Sequence, residues 1–299
     1  MENFILTISY LVIGMLLRRV PLFPKDSANV LNLFVIYVSL PALILLKVPA
    51  LVLSGDLLAP VLMPWGMLIL SALLIFFTAR AAGWGKGVTG ALLLLVPLGN
   101  TSFLGIPMVK AFFREAGIPF AVLYDQLGSF LALATYGTFI LAYYGKGASP
   151  ELGGVARRVI TFPPFIALLL AFLLLKGHTC PQPLQTLLSS LAATLVPVVM
   201  IAVGLQLTFR LEPGILPPLG FGLLVKLIIA PLCAWGFCSF FNFNTPAVRV
   251  SIFEAGMPPM VSAGALAIVA DLSPKLTAAL VGIGIIMSLV SLPILYNLF

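Results

Sequence analysis

Apolar stretches of about 20 residues recur from one end of this chain to the other, the length a helix needs to cross a bilayer at about 1.5 Å per residue. No polar block between them is long enough to fold as a separate soluble domain. Of the 299 residues, 61% are hydrophobic and 8% charged, where an average soluble domain carries roughly 25% charged residues. Mean hydropathy is +1.18. The chain therefore reads as an all-α, multi-pass membrane protein forming one membrane domain. Its start, MENFILTISYLVIGMLLRRV, is expected to be a retained first helix. Glu2 stands where a signal peptide would carry a basic leader, and the pair Arg18 and Arg19 follows the apolar run.

Hydropathy, interrupted where charge, proline and glycine collect, predicts helices near 3 to 17, 28 to 46, 59 to 79, 88 to 113 and 119 to 144. The second half follows with 159 to 176, 183 to 208, 214 to 240, 247 to 270 and 275 to 298. Ten spans put both termini on one side. Loops after odd-numbered helices hold Arg18, Arg19, Lys25, Arg80, Lys86, Lys146, Arg157, Arg158, Arg210 and Lys275. The other loops hold Lys47, Lys110, Arg114 and Lys176. Positive charge collects on cytoplasmic loops, so the chain is expected in the cell (inner) membrane with both termini on the non-cytoplasmic side. This placement accounts for the net charge of +7 without a nucleic-acid partner. Cys180 and the only histidine, His178, fall in one loop, and Cys233 and Cys238 fall in an apolar run. That is too few ligands for a metal site.

The chain divides near Ala148 into two sets of five spans, 1–148 and 149–299. A five-span unit that is duplicated must lie upside down relative to its copy. Traces of a duplication are legible. The fourth helix holds Gly105, Ile106, Pro107, Met108 and Val109; the ninth holds Gly256, Met257, Pro258, Pro259, Met260 and Val261. SLPALILL of the second helix answers TLVPVVMI of the seventh, with Pro41 and Pro197 at similar depth. Pro119 and Pro274 each open the last helix of a half, after Glu115 and Asp271.

A proline inside a helix costs about 3 kcal/mol or more, and in hydrocarbon no water rescues the freed carbonyl. Interruptions such as PLGNTSFLGIP at 97 to 107 are therefore expected to face a protein interior near the bilayer centre. Opened helix ends there offer N–H groups and partial positive charge to a small anion, with Asn100, Thr101 and Ser102 adding side-chain donors and acceptors. The competing explanation is close packing between kinked helices.

GNTSFLGIP, EAGMPPMV, FPPFIALLLAFLL and AVGLQL together resemble the auxin efflux carrier family of membrane transporters in its compact prokaryotic form. The resemblance runs through most of the chain. It implies two inverted five-helix repeats, similar to bile-acid and sodium/proton antiporter architectures. It also implies a scaffold of helices 1, 2, 6 and 7, and a mobile transport bundle of helices 3 to 5 and 8 to 10. Helices 4 and 9 would cross at their prolines, matching Pro107 and Pro258, with a small organic anion held beside the crossing and a homodimer packed through the scaffolds. Plant members carry a long hydrophilic central loop; GKGASPELGGVARR stands in its place, so regulation through such a loop is not expected.

The expected substrate-binding residues are Asn100, Thr101, Ser102, Gly105, Pro107, Gly256, Met257, Pro258 and Pro259. An ionised group at the bilayer centre costs about 2.5 to 3.5 kcal/mol, which singles out Glu254, Asp125 and Lys226 as ion-coupling candidates. Glu254 is the first choice for a proton carrier and Asp125 the second. A static Glu254–Lys226 ion pair is the alternative, as is an Asp125 shallow enough to reach interfacial water at roughly 9 Å into its helix. Lys226 could also bind the substrate carboxylate directly or extend toward the interface. Gln126 is either a cavity-lining group or an interhelical hydrogen bond, and Gln206 is structural.

The expected function is secondary active transport of a small carboxylate by alternating access, coupled to protons. A sodium-coupled symporter is the alternative, with a channel or solute sensor behind it. The coupling ion, H+ or Na+, stands in for any cofactor. No phosphate-cradling G-x-x-x-x-G-K-[ST] loop is present, which excludes direct ATP drive within the chain. With no nucleophile, base and orienting group in a recognisable set, an enzyme is not expected and no catalytic residue is assigned.

Overall fold

A computed structural model describes residues 2–24, 26–51, 54–145, 152–173, 181–207 and 213–298. Among those residues the regular structure is helical, with no strand beyond one isolated bridge. In chain order the helices are α1 (Glu2–Leu17), α2 (Ser27–Ala50), α3 (Gly55–Ala81), α4 (Lys86–Leu95) and α5 (Thr101–Tyr144). They continue with α6 (Leu152–Ile160), α7 (Pro163–Leu173), α8 (Gln182–Gln206), α9 (Leu216–Phe240), α10 (Pro246–Ala255), α11 (Val261–Val269) and α12 (Pro274–Tyr296). Among them α2, α3, α5, α8, α9 and α12 are each long and apolar enough to cross a bilayer. Large apolar side chains on their outer faces, such as Leu62, Phe77, Phe139 and Val290, stay exposed. Hydrocarbon is the solvent that suits such a surface.

The expected fourth helix is not continuous. It is interrupted between Leu95 and Thr101, and α5 holds two arms that meet at Arg114, within the expected gap between 113 and 119. Thr101 and Asp125 would lie about 36 Å apart on a straight helix, yet their side chains are hydrogen-bonded at 2.6 Å. The chain doubles back at Arg114, whose φ of 58° and ψ of −158° fall in a region normally left to glycine. The reversal precedes Pro119, which sits inside the second arm rather than opening it. Pro274 does open α12. Lys25, Lys146, Lys176, Arg210, His178 and Cys180 lie outside the described residues.

Two large apolar cores divide the molecule, and a smaller third one joins α9, α10 and the end of α12 through Cys238, Val248, Ile252 and Leu295. In one of the large cores, Leu11, Leu40, Ile44, Val199 and Met200 of α1, α2 and α8 pack with Phe103, Leu104 and Met257 from the two interruptions. In the other, Leu92 to Leu95, Leu219, Leu223, Ala263, Leu276 and Leu280 join α4, α9, α11 and α12. α1 and α8 approach backbone to backbone. A Cβ on Gly14 would lie 3.0 Å from Gly204 Cα and would overlap the Ile201 carbonyl, so only glycine permits this crossing. The Arg18 guanidinium donates to the Leu207 carbonyl at the end of α8, satisfying a terminal acceptor. Ser39 of α2 and Thr194 of α8 share a hydrogen bond at 2.7 Å, and these two residues open the SLP and TLVP segments that answer each other in sequence.

Candidate functional site

The breaks at 96–100 and 256–260 lie side by side and satisfy one another's backbone. The Met260 amide donates to the Leu98 carbonyl at 3.0 Å and the Asn100 amide to the Pro258 carbonyl at 2.8 Å. Gly99 stands opposite Pro259 in a single antiparallel bridge. Unpaired backbone groups at this depth would cost several kcal/mol each, and the exchange removes that cost. The prolines suit it: Pro258 supplies an acceptor, and Pro97, Pro258 and Pro259 bring no amide proton that would need a partner.

The meeting point of the breaks therefore differs from the expected one. Pro258 is where it was placed, but Pro107 is buried within a regular helical turn of α5, and Pro97 marks the first break. The reason is local. The Thr101–Gly105 turn is a π-helix, whose wider winding accepts a following proline that an α-turn would clash with.

π-Turns also hold the charged groups. Asp125 sits in the π-helical Tyr124–Phe130 segment and is 1% exposed. Its Oδ1 accepts from Thr101 Oγ1 at 2.6 Å and Ser102 Oγ at 2.5 Å, and its Oδ2 accepts from Gln126 Nε2 at 2.6 Å. Asp125 is thus a deep anchor for the turn after the first break, not a carboxylate near interfacial water. Gln126 bonds its own neighbour on the same helix, which is neither of the two roles expected for it. The carbonyl of Leu127, in the same π-turn, accepts from Trp65 Nε1 at 3.1 Å. Pro64 packs so closely there that a Cβ on Gly128 would overlap its ring.

Lys226 lies in the π-helical Val225–Ile229 turn of α9, and Glu254 closes the last turn of α10 before the second break. They are 3% and 0% exposed. Both line one cavity with Pro64, Leu68, Pro97, Leu98, Gly99, Tyr124, Ser129 and Ala132. Its volume of ≈ 10 Å³ is room for one water at most. The alternative, a static Glu254–Lys226 pair, is not seen as a hydrogen-bonded contact, since neither carboxylate oxygen of Glu254 has a hydrogen-bond partner among the described residues. The Asn100 Nδ2 and Gln126 Oε1 atoms are likewise buried without partners. Lys226 and Glu254 instead abut glycines of the other half. A Cβ on Gly99 would lie 3.2 Å from Lys226 Nζ, and one on Gly105 would lie 2.7 Å from Glu254 Oε1.

The remaining expected residues gather at the same place. Gly256 caps α10 with Leu295 packed where its side chain would be. Met257 is fully buried, and its amide donates to the Glu254 carbonyl at 3.1 Å. Pro258 and Pro259 rest against Gly284 of α12. Sequence reasoning did not assign Gly99, Tyr124, Ser129 or Gly284. The Gly-Asn pair just after Pro97 is a turn signal that would have found Gly99; Gly284 lies in a regular helix and gives none. Gln206 has a buried Nε2 without a partner. Among the described residues no group of three or more His, Cys, Asp or Glu side chains is placed to hold a metal ion.

Paired breaks and buried ionisable groups thus surround a closed centre, in a body built for lipid. A family model described as membrane transport protein matches residues 1–296. A relative from Methanothermobacter thermautotrophicus, described as an uncharacterized transporter, is 30% identical over 298 residues, covering 98% of this chain and 96% of its own. Another from Methanocaldococcus jannaschii, described in the same words, is 25% identical over 295 residues, covering 93% and 92%. The chain belongs to the membrane transport protein family to which the auxin efflux carriers also belong, and it is a multi-pass transporter of a small molecule, not an enzyme.

Proposed function

We propose that the protein is a secondary active transporter of a small organic anion, a carboxylate, working by alternating access and coupled to protons. In this reading α1–α5 and α6–α12 are inverted repeats divided near Ala148. The breaks at 96–100 and 256–260 form the crossing of the fourth and ninth spans. α1, α2, α7 and α8 make a scaffold through which two copies pair, and α3–α5 with α9–α12 make the moving bundle. Both termini face away from the cytoplasm.

The observation that carries the proposal is the pair of backbone hydrogen bonds joining the two breaks, with Asp125, Glu254 and Lys226 buried around them. Two acids and one base, all ionised, would leave one uncompensated negative charge in a low-dielectric interior, which is costly. One cation per cycle balances it. Glu254, with two unpartnered oxygens, is the site for that cation, while Asp125 is held by three donors. The cavity at Glu254 has no space for an organic anion. Asn100, with its unpartnered Nδ2, and the break residues named above are the groups proposed to hold the substrate once the closed centre opens.

The test is uptake of a carboxylate panel into proteoliposomes under an imposed pH gradient, an imposed sodium gradient, or neither. Accumulation driven by the pH gradient supports the reading. Accumulation driven only by sodium replaces the proton with that ion, and uptake indifferent to both gradients defeats coupling. Saturable counterflow of the labelled anion separates a carrier from a channel.

A further inference from the structure

The contact between Glu254 and Gly105 joins the two halves of the molecule at their most sensitive points. Glu254 is the last charged residue before the second break, and Gly105 closes the π-turn that follows the first. A Cβ built on Gly105 would overlap Oε2 of Glu254 and would lie 2.7 Å from Oε1 and 2.9 Å from Cδ. No other described glycine places a carboxylate in this position. Gly105 has φ −59° and ψ −55°, an ordinary helical conformation that any residue adopts. The requirement for glycine here is therefore one of space, and the space is filled by the Glu254 carboxylate.

The turn that Gly105 closes is the one that carries the polar side chains. The carbonyl of Asn100 accepts from the Gly105 amide at 2.9 Å and the Leu104 amide at 3.3 Å, while Thr101 and Ser102 are tied to Asp125. A change in charge or hydration at Glu254 thus acts on the backbone that orients Asn100. The groups facing Glu254 are Asp125 and Tyr124 from α5 and Lys226 from α9. α3 presents only Pro64 and Leu68 to the shared cavity. Cys238 and Tyr296 pack on other sides of α10, against its apolar residues.

We infer that Gly105 is a positioning residue for proton coupling: it seats the Glu254 carboxylate against the turn that holds Asn100, so that loading and unloading of Glu254 is transmitted to the substrate-binding break. The inference rests on the proton-coupled reading above and adds the route by which the proton is sensed.

The experiment is an infrared pH titration of the purified full chain, following the carboxylic-acid C=O band that disappears in Glu254→Gln. Wild type, Gly105→Ala and Gly66→Ala are compared, Gly66 having open space where a Cβ would go. We expect the Glu254 band of Gly105→Ala to titrate about one pH unit or more away from wild type, about 1.4 kcal/mol, with Gly66→Ala unchanged. An unshifted band in Gly105→Ala overturns the inference and leaves proton coupling standing. A Glu254 band that never titrates in wild type defeats the proton-coupled reading instead, and the inference with it. Should Gly105→Ala fold poorly, the double variant with Glu254→Asp supplies the second measurement, since the shorter side chain vacates the space. Recovery of the melting temperature toward that of Glu254→Asp alone supports the contact. A double variant no more stable than Gly105→Ala overturns it.

Discussion

The two breaks meet as equals in geometry and differ in chemistry. The first, 96–100, ends in Asn100 and is followed by Thr101 and Ser102, whose hydroxyls turn to Asp125 on the arm beyond the reversal at Arg114. The second, 256–260, is nearly all apolar, and its one charged neighbour, Glu254, precedes it and reaches across to the other half. Backbone pairing demands symmetry, because each break must satisfy the other's amides and carbonyls. Side chains are under no such demand. The first break is furnished with anchored polar groups, and the second is flanked by a carboxylate with nothing bonded to it. Under the proposed function the difference is a division of labour, recognition on one break and coupling on the other.

That division is breakable. Glu254→Gln should have the largest effect, abolishing gradient-driven accumulation while leaving thermal stabilisation by a bound carboxylate intact but independent of pH. Stabilisation that keeps its wild-type pH dependence would move coupling elsewhere. Asn100→Ala should remove ligand stabilisation altogether, because the amide that it deletes is unpartnered in the structure. Melting scans with the carboxylate panel read this directly, and an unchanged ligand response would place recognition off the first break.

Asp125→Ala should destabilise the fold by about 3 kcal/mol, since it strands three donors and hydrogen bonds to charged groups are worth about 1.5 to 3 kcal/mol. Equilibrium unfolding in mild detergent would measure it. A loss as small as that of a surface variant would make Asp125 a coupling group like Glu254 and erase the contrast. Away from both breaks, Gly204→Ala should cost about 1 to 3 kcal/mol through overpacking against Leu11 and Gly14, with the pH response of ligand stabilisation untouched. The smallest change is expected at the elbow near Arg114. Glu115 pairs with Lys47 at 2.8 Å and Lys110 at 3.0 Å while half exposed, so Glu115→Gln should alter stability by no more than about 1 kcal/mol.

Most of the architecture was legible because bilayer physics leaves few options. Apolar length marked the helices, and proline and glycine in the fourth and ninth marked the places where they open. The depth of Glu254 and Lys226 followed from their position within apolar runs. Three details were not readable. Within the expected interruption 97 to 107, the break opens at its start, near Pro97, rather than at the Pro107 crossing point, because π-winding of Thr101–Gly105 absorbs the later proline, and nothing in residue type distinguishes a π-turn from an α-turn. The reversal at Arg114 falls in the expected gap between 113 and 119, but the sequence leaves open whether Asp125 is deep or shallow, because distance along a helix does not show that its carboxylate packs onto Thr101. Glu254 and Lys226 suggested an ion pair by opposite charge alone, whereas each lies against a glycine of the other half, a relation between residues some 130 to 150 positions apart that no local pattern encodes.

The hydrogen bonds exchanged between the breaks also limit how the protein can move. Drawing Asn100 away from Pro258, or Met260 from Leu98, would strip partners from amides and carbonyls with no water at hand, at several kcal/mol for each bare group. Displacements that preserve those bonds are far cheaper. The crossing therefore behaves as a rivet: the polypeptide on either side can tilt or slide against its surroundings, but the two chains pinned at the centre travel together.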